Sequence, residues 1–259
     1  VTDAASLFRL NKFISDTGFC SRREADKLIE SGQVKVNGQV ALVGTKVSAD
    51  DNVEVAGKPL KNKPRRVYLA YHKPVGITCT TELHIKGNIV DAVKYPERIF
   101  PIGRLDKESE GLIFLTNDGD IVNKILRAGN AHDKEYVVTV DKPIHDGFIK
   151  KMAAGVPILE TVTLPCQVTQ KSRHTFNIVL RQGLNRQIRR MTEYLGFNVT
   201  KLKRVRIMNV RLAGLNAGQW RELTVEEMTA LETMLLTSSK TEEASKLSGA
   251  LFHQLPDED

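Results

Sequence analysis

The chain has few of the residues that staple, span or chelate. Its three cysteines, Cys20, Cys79 and Cys166, lie far apart and in no metal-ligand spacing. So odd and sparse a set excludes a disulfide scaffold and reads as reduced thiols packed as small apolar groups. No apolar run approaches the ~20 residues needed to cross a bilayer. The opening residues VTDAASLFRL lack the basic-then-apolar order of a secretory signal, so the expectation is a soluble cytoplasmic protein with no membrane partner. There is no P-loop, no dinucleotide fingerprint, no His/Cys cluster and no paired spacing among the six histidines. Nucleotide-driven, redox and metal chemistry therefore have no sequence support, and no internal repeat is evident.

What is present is a globular composition with an uneven charge. At 259 residues and 41% hydrophobic content the chain suits one large domain or two. The net charge of +7 favours a polyanionic partner. Between Arg181 and Arg211 nine arginines and lysines face the single acid Glu193, an excess larger than that of the whole chain. The remainder is close to neutral, so the basic character belongs to one segment.

The N-terminal part reads as a module of its own. Ser21 followed by Glu24 is a capping-box signature. Ala25, Leu28 and Ile29 then recur on one helical face, with Arg22, Arg23 and Lys27 off it. Gly32 ends the helix. Val34 and Val36 alternate with Lys35 before the hairpin pair Asn37-Gly38, and Val53 and Val55 suggest a further strand. The run RLNKFISDTGFCSRREADKLIESGQVKVNGQ resembles the S-four-like RNA-binding module. The resemblance covers residues 7–55 and implies that Arg9, Arg22, Arg23, Lys27 and Lys35 contact RNA backbone. The alternative is a small stable module with a mixed-charge surface.

Residues 56–66, AGKPLKNKPRR, carry one glycine, two prolines and five bases without apolar periodicity, and read as a flexible linker. A second domain is expected over residues 67–236, followed by a mobile tail, residues 237–259, rich in Ser, Lys and Glu. Strand-length apolar runs lie up to Lys73 and at Ile99 to Ile102, Leu112 to Leu115, Tyr136 to Val140 and Phe176 to Leu180. Helical patterns cover Asp120 to Arg127, His145 to Ala154, Arg186 to Leu195 and Val225 to Leu236. The two kinds do not alternate strictly, so the fold class is α+β: a small N-terminal α/β module plus a domain with a mainly antiparallel mixed sheet flanked by helices.

Three segments of the second domain carry candidate chemistry. GRLDKESEGL sets Asp106 among glycines between two apolar strands, a rigid base with an approachable backbone. In KEYVVTV, Lys134 and Tyr136 alternate on a strand and share a face. In RQGLNRQIRRMTEYLGF, with Asn185 as cap, Ile188, Met191 and Leu195 form an apolar stripe and Arg186 and Arg190 fall roughly opposite. Arg189 sits at the border between core and solvent. It either reaches a partly buried carboxylate or snorkels beside the core. Glu108 and Glu110 read as solvating the turn; a hydrolase would instead pair one of them with Asp106.

GRLDKESEGLIFLTNDG resembles the Arg-Leu-Asp motif of RNA pseudouridine synthases. YHKPVGI resembles their upstream Lys-Pro motif, KEYVV the Lys-x-Tyr motif and GLNRQIRRM the arginine-bearing motif. These come in the expected order behind the S-four-like module, nearest to the bacterial ribosomal branch, with RVRIMNVRL and GQWRELT leaning toward a large-subunit enzyme. The resemblance implies Asp106 as catalytic aspartate, Tyr136 as the aromatic stacked on uracil and Arg189 as the basic partner of Asp106. It further implies that Arg104 and Lys107 hold the displaced strand and that Arg186, Gln187, Arg190, Lys203 and Arg204 track adjoining backbone. Lys73, Leu105 and Lys134, inside the matched motifs, join the RNA-contacting set. Leu184 and Asn185 depart from the Arg-Lys or Arg-Asn of many relatives, which removes a positive charge beside the RNA path. The implied reaction is an isomerisation needing no cofactor or metal. The implied partner is ribosomal RNA, of the large subunit, with transfer RNA as a further candidate, and the chain is expected to act as a monomer. The alternative is a non-catalytic ribosome-assembly factor on a synthase scaffold.

Overall fold

A computed structural model describes residues 7–60, 63–126 and 132–236. The chain divides into two units: Val1–Val67 with Tyr95–Ile99 and Asn117–Gly119 in one, and the remainder in the other. The expected tail, residues 237–259, lies outside the described residues.

The first unit contains β1 (Phe8–Arg9), α1 (Leu10–Asp16), α2 (Arg22–Glu30), β2 (Val34–Val36), β3 (Gln39–Val40), β4 (Lys46–Val47), β5 (Val53–Val55) and β6 (Lys58–Pro59). Helix α2 begins with the capping box: Glu24 N donates to Ser21 Oγ at 3.2 Å, and Ser21 N donates to the Glu24 carboxylate at 2.7 Å. The β2–β3 hairpin turns through Asn37 and Gly38, both at positive φ, as the strand twist of a two-residue turn requires. Four strands run β3-β2-β5-β6, while β1 pairs with β4. Leu10, Ile14, Ala25, Ile29, Val34 and Val55 share one core.

The stretch expected to be linker begins as structure. Ala56 and Gly57 turn the chain, Lys58 pairs with Val55, and Leu60 packs against the core. Residues up to Leu60 are therefore part of the unit. A hairpin turn was hidden by the same glycine and proline that suggested flexibility. Lys61 and Asn62 lie outside the described residues.

The second unit contains β7 (Tyr68–Lys73), α3 (Ile89–Val93), β8 (Phe100–Ile102), β9 (Glu110–Thr116), α4 (Gly119–Leu126), β10 (Lys134–Val140) and α5 (Asp146–Ala154). It continues through β11 (Pro157–Ile158), β12 (Thr161–Val162), β13 (Gln167–Gln170), β14 (Thr175–Leu180) and α6 (Gln187–Tyr194). The last elements are β15 (Val199–Ile207), β16 (Val210–Arg211), β17 (Trp220–Glu222) and α7 (Val225–Leu236). One sheet runs β13-β14-β10-β15-β9-β7-β17, with β16 on β15 and β8 on β9. Every pairing in it is antiparallel except β15 on β9. This is the expected α+β architecture. Arg127, the last residue of the expected helix from Asp120, lies outside the described residues.

The parallel pairing sets the site's geometry. Gly111, the second residue of β9, has φ +119, and a Cβ there would run into the Arg204 backbone. Only glycine lets the strands approach this closely. Ile121 and Ile125 of α4 and Leu231 and Leu235 of α7 pack with Ala70, Phe114 and Ile207. Phe148 of α5 meets Phe176 edge-on, with ring centroids 5.4 Å apart.

Candidate active site

The loop from Gly103 to Ser109 is fastened on both sides of Asp106. Leu105 is buried, and its N–H donates to the Cys79 Sγ at 3.4 Å. Gly76 N donates to Lys107 O at 2.7 Å, which ties in the Lys-Pro-Val-Gly turn. Ser109 N donates to Asp106 O at 3.0 Å and closes the turn. Asp106, half-buried between these anchors, presents its carboxylate while Arg104 and Lys107 are exposed.

Two guanidiniums face that carboxylate. Arg189 Nε lies 3.6 Å from Asp106 Oδ2, and Arg186 Nη1 lies 3.7 Å from the same oxygen. Arg189 is only 11% exposed and donates through Nη2 to Ser109 Oγ at 2.8 Å. It thus reaches the carboxylate rather than merely lying along the core. Arg186, not Asn185, is the N-cap of α6, and it adopts the left-handed conformation at φ 47. A non-glycine residue there is uncommon and marks a constrained position. Asn185 instead accepts from Arg190, Nη2 to Oδ1 at 3.0 Å and Nε to the carbonyl at 3.1 Å.

The other carboxylates of the turn have partners, contrary to their reading as mere solvation. Arg186 Nη1 donates to Glu108 Oε2 at 3.1 Å. The Glu108 backbone N–H, and then Arg186, hold its carboxyl below the usual range. Glu110 Oε2 lies 3.4 Å from His72 Nε2.

Tyr136 is half-buried on β10, opposite Arg204 of β15, whose guanidinium carbon lies 6.0 Å from the ring centroid. Asp106 and Arg204 both act electrostatically on the buried Lys73 and Cys79. Burial, then the Arg204 charge, push the Lys134 amine down to about 8, with Asp133 opposing.

Four residues expected on the RNA path are inside the protein. Lys73 is fully buried and donates to Pro74 O at 2.9 Å and Ile77 O at 2.8 Å, so its ammonium fastens the turn. Burial lowers its pKa. Gln187 is buried and accepts from Leu184 N at 3.1 Å. Arg204 is buried and donates to Leu112 O at 2.7 Å. Leu105 is the anchor already described. Lys203 pairs with Val137 and so lies on the sheet face opposite Tyr136 and Arg204. Arg9, Arg22, Arg23, Lys27 and Lys35 are all exposed on the first unit.

Sequence reasoning missed Ser109, Cys79 and β15 as a strand. Ser109 stood within the quoted loop, but its fully buried hydroxyl gives no pattern in a sequence.

This is the geometry of a fastened loop that presents the half-buried Asp106 carboxylate to two guanidiniums. The sequence model of the RNA pseudouridylate synthase family matches residues 67–194, and that of the S4 domain residues 8–53. The chain belongs to the RNA pseudouridine synthase family, the isomerases that convert uridine within RNA. It is 57% identical to the dual-specificity RNA pseudouridine synthase RluF of Salmonella typhi, over 92% of this chain and 83% of that one. The RluF of Escherichia coli K12 is 56% identical over 90% and 81%. Ribosomal large subunit pseudouridine synthase B of Bacillus subtilis is 37% identical over 87% and 96%. A crystal structure of a pseudouridylate synthase superposes with a TM-score of 0.64 at 28% identity, covering 86% of this chain and 99% of that one. Among the described residues no helix is long and apolar enough to cross a membrane.

Proposed function

We propose that the enzyme isomerises a specific uridine of large-subunit ribosomal RNA in the cytoplasm, as a monomer, with Asp106 as the catalytic carboxylate. The observation that carries this reading is the fastened loop that aims one carboxylate at two guanidiniums. The C1′–N1 bond breaks, the uracil turns, and C5 joins C1′; the C5 proton is lost and N1 gains one. A carboxylate serves this sequence either as nucleophile at C1′ or as base at C2′. Arg189 supplies the compensating charge that keeps such a group usable once water is excluded. Tyr136 stacks on the flipped base, and Arg104 and Lys107 hold the displaced strand. Extruding the base costs a few kcal/mol, so a looped or strained uridine is the preferred target. The first unit contacts RNA backbone through Arg9, Arg22, Arg23, Lys27 and Lys35. Transfer RNA is a second substrate candidate; the RluF relatives are named dual-specificity RNA pseudouridine synthases.

Asp106→Asn tests the reading. RNA tritiated at uracil C5 should release label to water with the native enzyme and none with the variant, while RNA affinity stays within a few-fold. Turnover by the variant would remove Asp106 from the role. Comparing pseudouridine maps of RNA from cells with and without the enzyme identifies the target.

A further inference from the structure

We propose that Ser109 is a positioning residue that holds the Arg189 guanidinium beside Asp106 without letting the two close into a hydrogen-bonded pair. The proposal rests on Asp106 being the catalytic carboxylate, and adds a residue that touches neither substrate nor reacting atoms.

Ser109 is joined to both partners. Its N–H donates to the Asp106 carbonyl at 3.0 Å and its Oγ accepts from Arg189 Nη2 at 2.8 Å. The residue is fully buried, so no water competes for that hydroxyl. Arg189 Nε is buried without any hydrogen-bond partner, and it stands 3.6 Å from Asp106 Oδ2. An arginine and a carboxylate left to themselves form short, often bidentate bonds near 2.8 Å. Here the guanidinium is fixed through a different nitrogen, and the longer distance is kept. The carboxylate has positive charge beside it, yet its oxygens are not committed to the arginine. That state suits a group that must engage a sugar carbon or its proton.

The second guanidinium cannot replace this device. Arg186 approaches the same oxygen at 3.7 Å but makes its hydrogen bond to Glu108 at 3.1 Å, and it is far more exposed than Arg189. With the Ser109 hydroxyl removed, Arg189 Nη2 loses its acceptor in a buried setting. The nearest charged acceptor is Asp106 itself. The guanidinium then closes on the carboxylate, and the oxygen that must reach the ribose is occupied. The effect falls on the chemical step, since Ser109 is fully buried and is not among the residues proposed to contact RNA.

The test combines Ser109→Ala, Ser109→Thr and Arg189→Lys in the full chain, with RNA carrying tritium at uracil C5. Ser109→Ala should lower the single-turnover rate by about 10- to 100-fold, the scale for losing a hydrogen bond to a charged group. RNA affinity and KM should stay within about twofold, and Ser109→Thr, which keeps the hydroxyl, should retain most of the rate. Adding Ser109→Ala to Arg189→Lys should cost little beyond Arg189→Lys alone, because both act through one guanidinium. An unchanged rate in Ser109→Ala, an equal loss in RNA affinity, or losses that multiply in the double variant would each overturn the proposal. If Arg189→Lys is below detection, the rate-against-affinity split of Ser109→Ala decides alone. Activity in Asp106→Asn would instead sink the underlying reading of the site, a result distinguishable from all of these.

Discussion

At the scale of single residues, the site uses cations for two purposes that charge alone does not separate. Arg186 and Arg189 face a carboxylate, whereas Lys73 turns its ammonium inward onto two carbonyls and Arg204 caps Leu112 O beneath Tyr136. Lys134 is the costly member. Burial and Arg204 bring its pKa to about 8 from 10.5. The sign follows from proton binding. At pH 7 folded and unfolded forms both carry the proton, and the folded form bears the cost of burying it. Between pH 8 and 10.5 the folded form gives up its proton first, so stability rises relative to a chain without this amine. Lys134→Met should therefore stabilise the fold by about 1–3 kcal/mol at pH 7. That gain should shrink toward pH 10. Urea unfolding at both pH values checks it, and a gain of equal size at the two would show that packing rather than charge is responsible.

At the scale of elements, what was legible in the sequence is what local chemistry determines. The Ser21–Glu24 capping box and the Asn37-Gly38 turn formed as written, because each is settled within a few residues. The strands at Leu112 and Phe176 and the helices at His145 and Val225 were legible from apolar periodicity. The strand β15 was not. Its inward positions include Arg204, so the alternation that signals a half-buried strand is broken by a charge. The burial of Lys73 was illegible for a related reason: a motif gives a lysine's place in the chain but not the direction of its ammonium. Gly111 shows how one position joins two elements. Gly111→Ala would force a Cβ into the Arg204 backbone at a φ that other residues rarely adopt. The expected loss is about 2–4 kcal/mol, from strain plus a disrupted β9–β15 pairing. Because Arg204 would move with it, isomerisation should fall as well. A thermal melt within a few degrees of the native one would contradict the claim that this approach is tight.

At the scale of the whole molecule, chemistry and RNA affinity are assigned to different side chains, and salt separates them. Within the basic stretch from Arg181 to Arg211, the expected RNA-backbone track takes in Arg186, Gln187, Arg190, Lys203 and Arg204. The structure divides that stretch, since Arg204 is buried, Arg189 faces Asp106 and Lys203 lies on the sheet face opposite Arg204. Under the proposed function, the exposed cations of the first unit then carry more of the affinity. Arg22, Arg23 and Lys27 project from α2, whose other face, with Ala25 and Ile29, is in the core. Replacing all three by alanine leaves that core face untouched, so the helix should persist. Each phosphate contact contributes about 0.7–0.9 to the slope of log affinity against log salt, so the triple variant should lose about two units of slope if its cations touch RNA. Affinity should fall most at low salt, where the lost counterion release matters most. The single-turnover rate at saturating RNA should stay within a few-fold, because none of the three has a role in the proposed chemistry. Filter-binding titrations across a salt series, paired with tritium release at saturation, measure both quantities on one preparation. An unchanged slope would show that the helix face is only solvated surface, and a lost rate at saturation would mean that the first unit also helps present the uridine to the carboxylate.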